Sequence, residues 1–317
     1  MRTLAVVMRE PRHLAVREVS LIPASESDAV VEVLWSGIST GTEKLLWSGT
    51  MPPFPGLSYP LVPGYETVGV VRETGAGSGL AIGQHVFVPG SRGFSDVSGL
   101  FGGAARRLVV TGSRVIPIDA ALGEDGVLLA LAATAYHAVI GGRLPDLIVG
   151  HGVLGRLIAR VAIAMGGKAP TVWEKQPERM SGGEGYSVVD PAADSRCDYA
   201  SIYDVSGDSS LLDTLILRSA KGGEITLAGF YSAPLSFVFP PAFMREMRLR
   251  IAAEWQPGEI AAVLQLMADG KLSLSGLISH RKPATDAALA YPIAFSDPTC
   301  TKMILDWSCL LYTSDAA

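Results

Sequence analysis

The first 120 residues alternate between short apolar runs and turn-forming pairs. Runs of this kind, bounded by glycine and proline, are typical of strands. The pattern predicts strands at residues 4–8, 29–35, 67–71, 85–88 and 107–110. Pairs such as Pro52-Pro53 and Pro63-Gly64 lie between the runs and predict turns. We therefore expect an irregular β-rich domain, antiparallel or barrel-like.

Beyond residue 123 the pattern changes, and strand-like runs alternate with helix-like runs. The predicted strands are residues 147–149, 171–173, 201–205, 225–228 and 249–252, and the predicted helices are 128–139, 156–165 and 260–268. Such alternation indicates a doubly wound parallel sheet of the α/β class. A helical run at 285–291 and a last strand at 302–306 are expected to return to the first domain.

These patterns divide the chain into four segments. Residues 1–122 form the β-rich domain, 123–265 the doubly wound domain, and 266–307 the return to the first domain. Residues 308–317 (SCLLYTSDAA) follow without a new periodic element. We expect this tail to be disordered or foreign to the natural protein, and we assign it no function.

A glycine turn at residues 147–155 carries the clearest chemical signal. Three apolar residues lead into Gly150, Gly152 and Gly155, a G-x-G-x-x-G motif, and an apolar helical run follows. A strand, a tight turn and a helix in this order place backbone amides and the helix dipole against a pyrophosphate. The turn therefore predicts a dinucleotide site, with the contacting residues Gly150, His151, Gly152, Val153, Leu154 and Gly155. A glycine-rich loop in an α/β domain that binds no nucleotide is the alternative.

Glu174 extends this prediction to the coenzyme. It follows the second predicted strand, 19 residues beyond Gly155, where an acidic side chain holds the ribose hydroxyls. The same carboxylate would repel a 2′-phosphate, so the sequence favours NAD over NADP.

Composition excludes several classes of protein. The net charge is −5 and only 18% of residues are charged, which argues against nucleic acid as a partner. The sequence has no apolar run of about 18 residues, so no transmembrane span is expected, and its N-terminus is too short in apolar residues for a signal peptide. Cys197, Cys300 and Cys309 lie far apart, which suits a reducing cytoplasm and neither a disulfide framework nor a metal cluster.

The motifs together resemble the medium-chain dehydrogenase/reductase superfamily over nearly all of residues 1–307. Similar segments are 37–43 (GISTGTE), 63–69 (PGYETVG), 83–88 (GQHVFV), 134–137 (TAYH), 204–207 (DVSG) and 223–229 (GEITLAG). The resemblance implies a GroES-like catalytic domain and a Rossmann domain that binds NAD. It further implies that Thr134 packs against the nicotinamide and that Gly229 lies at a strand end facing the cofactor.

The chain departs from the zinc-containing members of that superfamily. Ser39 (or Thr40, since the segment has one extra residue) and Tyr65 stand where those members have Cys and His, and the third ligand position falls at Ala132–Ala133. Hydroxyls and alanine do not hold catalytic zinc, and the single carboxylate of Glu66 is not a zinc site. No cysteine precedes Cys197, so the four-cysteine structural zinc lobe is absent too. We therefore expect a zinc-independent enzyme with no bound metal.

Four longer segments resemble a narrower family, the dehydrogenases that oxidise a hydroxyethyl group of bacteriochlorophyllides. They are residues 36–49, 59–66, 239–246 and 249–255. This resemblance implies oxidation of the 1-hydroxyethyl group on ring carbon 3 of a bacteriochlorophyllide or chlorophyllide to acetyl, with NAD taking the hydride. It implies a tetrapyrrole as the small-molecule partner and a homo-oligomeric enzyme, and it leaves peripheral membrane contact open.

Oxidising an alcohol without zinc requires side chains that hold and deprotonate the hydroxyl. Tyr65 is the first candidate, because it replaces a ligand that faces the reacting carbon. Ser39 and Thr40 are candidates for holding the substrate oxygen, and His137 for the base or a proton relay. The structural alternatives are a packed aromatic residue for Tyr65 and an ordinary helix histidine for His137.

Two other functions remain open from the sequence. One is a zinc-free dehydrogenase of the same superfamily that acts on a polyol, an amino alcohol or a quinone. The other is a nucleotide- or pigment-binding protein without turnover.

Overall fold

A computed structural model describes residues 1–53 and 55–310, and these divide into two compact units. Unit 1 contains residues 1–129 and the chain from residue 275 onward, and unit 2 contains residues 130–274. The sequence-based boundaries at 122 and 265 precede these two limits. The last three residues of the 3₁₀ helix Ala120–Leu128 are buried and belong to unit 1. The first segment of unit 1 therefore extends beyond the predicted boundary at residue 122.

Unit 1 begins with a series of strands and one short helix. They are β1 (Arg2–Glu10), β2 (His13–Ser20), β3 (Asp28–Ile38), α1 (Thr42–Ser48), β4 (Thr67–Thr74), β5 (His85–Val88), β6 (Arg107–Thr111) and β7 (Ile116–Pro117). The five strands predicted in this region are present as β1, β3, β4, β5 and β6. β2 and α1 were not predicted, because β2 alternates weakly between apolar and charged residues and α1 has only seven residues.

Unit 2 alternates helices and strands. They are α2 (Leu129–Ile140), β8 (Leu147–Val149), α3 (Val153–Ala164), β9 (Thr171–Trp173), β10 (Ser187–Val189), β11 (Tyr199–Asp204), α4 (Leu212–Arg218), β12 (Ser219–Leu227), α5 (Phe239–Met244), β13 (Arg248–Ile251) and α6 (Glu259–Ala268).

The chain then returns to unit 1 with β14 (His280–Pro283), α7 (Ala287–Ser296) and β15 (Met303–Asp306). Short 3₁₀ helices lie at Gly112–Arg114, Ala120–Leu128, Pro177–Arg179, Ala284–Asp286 and Ser308–Leu310. Residues 311–317 of the predicted tail lie outside the described residues, so that prediction stays a prediction.

In the described residues unit 1 contains a two-stranded antiparallel sheet, β1-β2, and a larger sheet built around β3. In the described part of the chain it is seven-stranded, in the order β14-β15-β3-β4-β5-β7, with β6 also paired to β3. β15 pairs antiparallel with β3, so the C-terminal region joins the sheet of the N-terminal region. Trp307 closes this junction, since its ring is fully buried and its Nε1 donates to the Ser36 hydroxyl at 2.9 Å.

The sheet of unit 2 is wholly parallel within the described residues. Its six strands run in the order β10-β9-β8-β11-β12-β13. Numbered within the sheet, this is 3-2-1-4-5-6, the order of the doubly wound Rossmann fold. The strand order therefore reverses direction between β8 and β11, and in such sheets nucleotides bind at the carboxyl ends of the strands on either side of that point. The predicted fold class is confirmed.

Each unit has its own apolar core. In unit 2 the core contains Leu147, Ile202 and Ile225 from three adjacent strands, all fully buried. In unit 1 it contains Tyr291 and Met303 from the returning segment, packed with the strands of the N-terminal region. Among the described residues, no helix has the length and apolar character that crossing a bilayer requires.

Candidate functional site

The three glycines of the turn after β8 have different surroundings. Gly150 has a φ of 103°, a backbone conformation that favours glycine. A Cβ on Gly155 would lie 2.0 Å from the Gly150 carbonyl oxygen, so only glycine lets α3 approach β8 this closely. A Cβ on Gly152 would have no atom within 4 Å, so open space lies beside the N-terminus of the 12-residue helix α3. This is the space that a pyrophosphate needs next to the helix amides.

Glu174 follows β9 and is bound to the same turn. Its Oε2 accepts a hydrogen bond from the His151 amide at 3.1 Å. Its Oε1 accepts from the amides of Lys175 and Gln176 at 2.8 and 2.9 Å. Three backbone donors thus orient one carboxylate beside the glycine turn, which gives the turn a fixed negative charge.

The ring of His151 points into the protein. It is fully buried, its Nδ1 donates to the Arg179 carbonyl at 2.6 Å, and its Nε2 accepts from the Tyr186 hydroxyl at 2.8 Å. Burial lowers the pKa of His151 to about 4, which agrees with a neutral ring in these two bonds. The ring of His151 therefore anchors the turn, and its backbone amide and carbonyl are bonded to Glu174 and Arg156.

Arg156 is a residue of this site that the sequence-based reasoning missed. It lies buried on α3, and its Nε donates to the His151 carbonyl at 3.0 Å. Its terminal nitrogens donate to carbonyls in the loop after β9, at Arg179, Ser181 and Gly182. Arg156 directly follows the last glycine of the motif and begins a largely apolar helical run, which was the available signal. Through these bonds Arg156 fixes the loop after β9 beside the glycine turn.

The remaining predicted cofactor contacts have ordinary structural surroundings; they are Val153, Leu154, Thr134 and Gly229. Val153 and Leu154 form the first turn of α3. The Thr134 hydroxyl donates to the Ala130 carbonyl of its own helix at 2.9 Å. The Gly229 amide donates to the Asp204 carbonyl at 3.1 Å, at the end of β12.

His137 is in unit 2 and is bound to a carboxylate there. Its Nδ1 lies 2.9 Å from Oε1 of Glu259, in the first turn of α6. The pair joins α2 to α6. Ser39 and Tyr65, the other predicted catalytic residues, are in unit 1.

Ser39 and Tyr65 meet in unit 1. The Ser39 Oγ lies 2.7 Å from the Tyr65 hydroxyl, and the Thr42 side chain also bonds to Tyr65. Tyr65 is partly exposed and contacts the edge of the Phe101 ring, with centroids 5.3 Å apart. Burial raises the pKa of Tyr65 above its usual value of 10, and nearby Glu66 raises it further. The phenol is therefore neutral near pH 7.

Thr42, which was not among the predicted site residues, lies beside Tyr65, and Thr40 does not. Thr40 is exposed, whereas Thr42 begins α1 and bonds to Tyr65. The extra residue in the segment left the register undecided, and the third hydroxyl of the Ser-Thr-Gly-Thr run was the signal that went unused.

A buried ion pair lies next to this hydroxyl cluster. The Lys302 ammonium donates to Oε2 of Glu66 and, at 3.1 Å, to the Ile38 carbonyl. Both side chains are almost completely buried, and Oε1 of Glu66 has no hydrogen-bond partner among the described residues. A Cβ on Gly37 would lie 2.2 Å from Oε2 of Glu66, so glycine at this position makes room for the pair.

Glu43 adds a second buried carboxyl. Its Oε1 accepts from the Ser39 amide at 3.2 Å, and its Oε2 accepts from the Tyr291 hydroxyl at 2.6 Å. Burial raises the pKa of Glu43 to about 7, with a further contribution from the charge of Glu66.

These residues do not suit a catalytic zinc ion. Zinc in such enzymes is held by thiolate, imidazole and carboxylate groups. Ser39 and Tyr65 are hydroxyls bonded to each other, and the Glu66 carboxylate is already paired with Lys302. Within residues 1–53 and 55–310, no group of three or more His, Cys, Asp or Glu side chains is arranged to hold a metal.

Comparison with known proteins agrees with this architecture. Residues 25–120 match the family model of the alcohol dehydrogenase GroES-like domain. The chain is 56% identical, over 97% of its length and 99% of the relative, to 2-desacetyl-2-hydroxyethyl bacteriochlorophyllide A dehydrogenase of Rhodobacter capsulatus. It is 57% identical to the protein of the same name from Cereibacter sphaeroides, with the same coverage of 97% and 99%.

A solved structure shows the same fold at low sequence identity. The 2R,3R-butanediol dehydrogenase of Bacillus subtilis superimposes with a TM-score of 0.84 at 19% identity, over 96% of this chain and 99% of that one.

Proposed function

Since the chain belongs to the family of 2-desacetyl-2-hydroxyethyl bacteriochlorophyllide A dehydrogenases, within the medium-chain dehydrogenase/reductase superfamily, we propose that it oxidises the hydroxyethyl group of such a pigment. The substrate is a bacteriochlorophyllide or chlorophyllide with a 1-hydroxyethyl group on ring carbon 3, and the product carries an acetyl group there. The observation that supports this most is an identity of 56% across 97% of the chain.

NAD is the proposed coenzyme, and when bound it supplies the hydride acceptor. The open space beside Gly152 at the N-terminus of α3 suits its pyrophosphate. The Glu174 carboxylate, oriented by three amides, suits the ribose hydroxyls and would repel the 2′-phosphate of NADP.

The proposed proton transfer uses the hydroxyl cluster of unit 1. Oxidation breaks the C–H bond of the alcohol carbon with its electron pair and removes the hydroxyl proton. Tyr65 is neutral near pH 7, so its hydroxyl acts as a relay: it accepts the alcohol proton while giving its own to Ser39, 2.7 Å away, and Ser39 in turn releases its hydroxyl proton to solvent water. Thr42 supports the same phenol. Thr40 and His137 remain alternatives for holding the oxygen and for the base.

This mechanism is zinc-independent, because the hydroxyl cluster occupies the place of the metal ligands and carries out the proton transfer that zinc would otherwise assist. None of the three cysteines, all of which lie within the described residues, is joined in a disulfide, which supports a reducing cytoplasm as the compartment.

A visible-spectrum assay tests the function directly. The protein is incubated with 3-hydroxyethyl bacteriochlorophyllide a and either NAD or NADP. We expect a shift of the long-wavelength pigment band, matched mole for mole by NADH and much slower with NADP. NADH formation from a polyol, an amino alcohol or a quinol, with no pigment shift, would instead establish another substrate. Tight NAD binding with no turnover of any alcohol would indicate a binding protein.

Replacing Tyr65 by Phe tests the proton transfer. The variant keeps the ring and its contact with Phe101 but loses the hydroxyl, so we expect kcat to fall about 10²–10⁴-fold with little change in NAD affinity. Stopped-flow turnover and NAD titration measure the two effects. Tyr136→Phe, on α2, is the matched control. Turnover of Tyr65→Phe at the wild-type rate would exclude the phenol and leave Ser39, Thr40 or His137 as the candidates.

A further inference from the structure

Glu43 joins three separate segments of unit 1. It lies in the first turn of α1, accepts from the Ser39 amide in the preceding loop, and accepts from the Tyr291 hydroxyl of α7. Ser39 and Tyr291 lie on either side of its carboxyl, and neither Glu43 nor Tyr291 has any exposed surface. Ser39 in turn lies 2.7 Å from the Tyr65 hydroxyl. The carboxyl of Glu43 therefore holds the backbone that presents Ser39 to Tyr65.

Few titratable groups face Glu43, and the cation among them, Lys302, is bonded to Glu66. Glu66, Lys302, Tyr65 and Tyr291 are the titratable groups that face it. The Lys302 ammonium is bonded to Glu66 and to the Ile38 carbonyl, so its positive charge mainly offsets the negative charge of Glu66. An ionised Glu43 in the same buried region lacks a cation of its own. Burial accordingly raises the pKa of Glu43 to about 7, whereas the hydrogen bond from Tyr291 opposes that rise.

We propose that Glu43 is a positioning residue of the alcohol site, and that gain or loss of a proton at its carboxyl sets the activity of the Ser39–Tyr65 pair. The inference rests on the proposed oxidation, and it assigns a role to a buried group that the oxidation itself does not use.

Ionisation of Glu43 strengthens one contact that holds the hydroxyl cluster in place. An ionised carboxylate is a stronger acceptor for the Ser39 amide, which fixes the loop more firmly. A firmly held Ser39 stays within hydrogen-bond distance of Tyr65, which helps the pair relay the alcohol proton. Oxidation should therefore accelerate as pH rises through the pKa of Glu43 and slow as Glu43 becomes protonated.

The pH profile of pigment oxidation tests this role. For the wild type we expect kcat to rise with an inflection near pH 7. For Glu43→Gln, which stays neutral at every pH, we expect no inflection there, and kcat should remain close to the low-pH level of the wild type. The KM for pigment and the affinity for NAD should change little. An inflection that persists in Glu43→Gln at the same pH would overturn the proposal.

Tyr291→Phe provides a second test that does not depend on removing the carboxyl. It deletes only the hydroxyl that donates to Glu43, and that bond lowers the pKa of Glu43. The inflection should therefore move to higher pH while its amplitude is retained. An unmoved inflection would contradict the assignment to Glu43, even if Glu43→Gln failed to fold. A merely structural role would lower stability in both variants and leave the shape of the profile unchanged.

The same data separate the two proposals. Pigment oxidation by the wild type without the expected response to either substitution would leave the function standing and remove Glu43 from it. An absence of pigment oxidation at any pH would overturn both.

Discussion

Glu174 is a single residue on which coenzyme choice depends. Replacing it with Ala removes a carboxylate that three backbone amides orient beside the glycine turn. We expect NAD binding to weaken about tenfold, which is about 1.4 kcal/mol, and NADP binding to strengthen relative to it. Coenzyme titrations followed by calorimetry measure both. Glu178→Ala removes an equal charge from an exposed position four residues later and should change neither affinity. Unchanged affinity for both coenzymes in Glu174→Ala would remove Glu174 from the site.

Individual residues show which side-chain contacts can be predicted from the sequence and which cannot. The local motif placed Ser39 and Tyr65 among the candidates, and the structure brings their hydroxyls to 2.7 Å. The partners of the buried carboxyls were beyond reach, because Tyr291 lies 248 positions from Glu43 and Lys302 lies 236 positions from Glu66. Contacts at such separations depend on how the returning segment packs, and no local pattern in the sequence encodes that.

At the scale of elements, the glycine turn and α3 offer a pair of matched substitutions. Gly152→Ala adds a methyl group to open space, so the protein should fold normally, while the methyl group obstructs the pyrophosphate and NAD affinity falls. Gly155→Ala places the methyl group 2.0 Å from a carbonyl oxygen of the turn, so α3 must move away from β8. We expect that change to cost about 1–3 kcal/mol of folding stability.

Thermal melts and NAD titrations separate these two effects. The expected result is an unchanged melting temperature with weak NAD binding for Gly152→Ala, and a lowered melting temperature for Gly155→Ala. Wild-type NAD affinity in Gly152→Ala would show that the dinucleotide does not pass over this glycine.

Strands were predicted from the sequence most accurately where they are buried. Strands β5, β8 and β9 were predicted at their observed limits, because their apolar runs are short, buried and bounded by turn residues. β10 was missed, since its three residues are only partly buried and follow a glycine-rich loop. β14 was missed as well; it begins at His280, where pairing with β15 supplies its hydrogen bonds.

For the whole molecule, the order of the elements was enough to predict the fold class. Alternating strands and helices predicted the parallel sheet of unit 2, and the strand after α7 predicted the return to unit 1. The substrate could not be predicted from the pattern of apolar and polar residues alone. A Rossmann sheet with a GroES-like domain serves many alcohols, so the pigment is inferred from identity along the full chain.

The same whole-chain view leads to a prediction about metal. Ser39 and Tyr65, at the positions that the sequence resemblance assigns to zinc ligands, have hydroxyls bonded to each other, and the neighbouring Glu66 is paired with Lys302. We therefore expect a strong zinc chelator, removed by desalting before the magnesium-containing pigment is added, to leave turnover unchanged. A zinc alcohol dehydrogenase treated in parallel should lose its activity, which verifies the treatment. If turnover of this protein fell and Zn²⁺ restored it, a metal would be required, and the hydroxyl cluster would be part of its surroundings instead of its replacement.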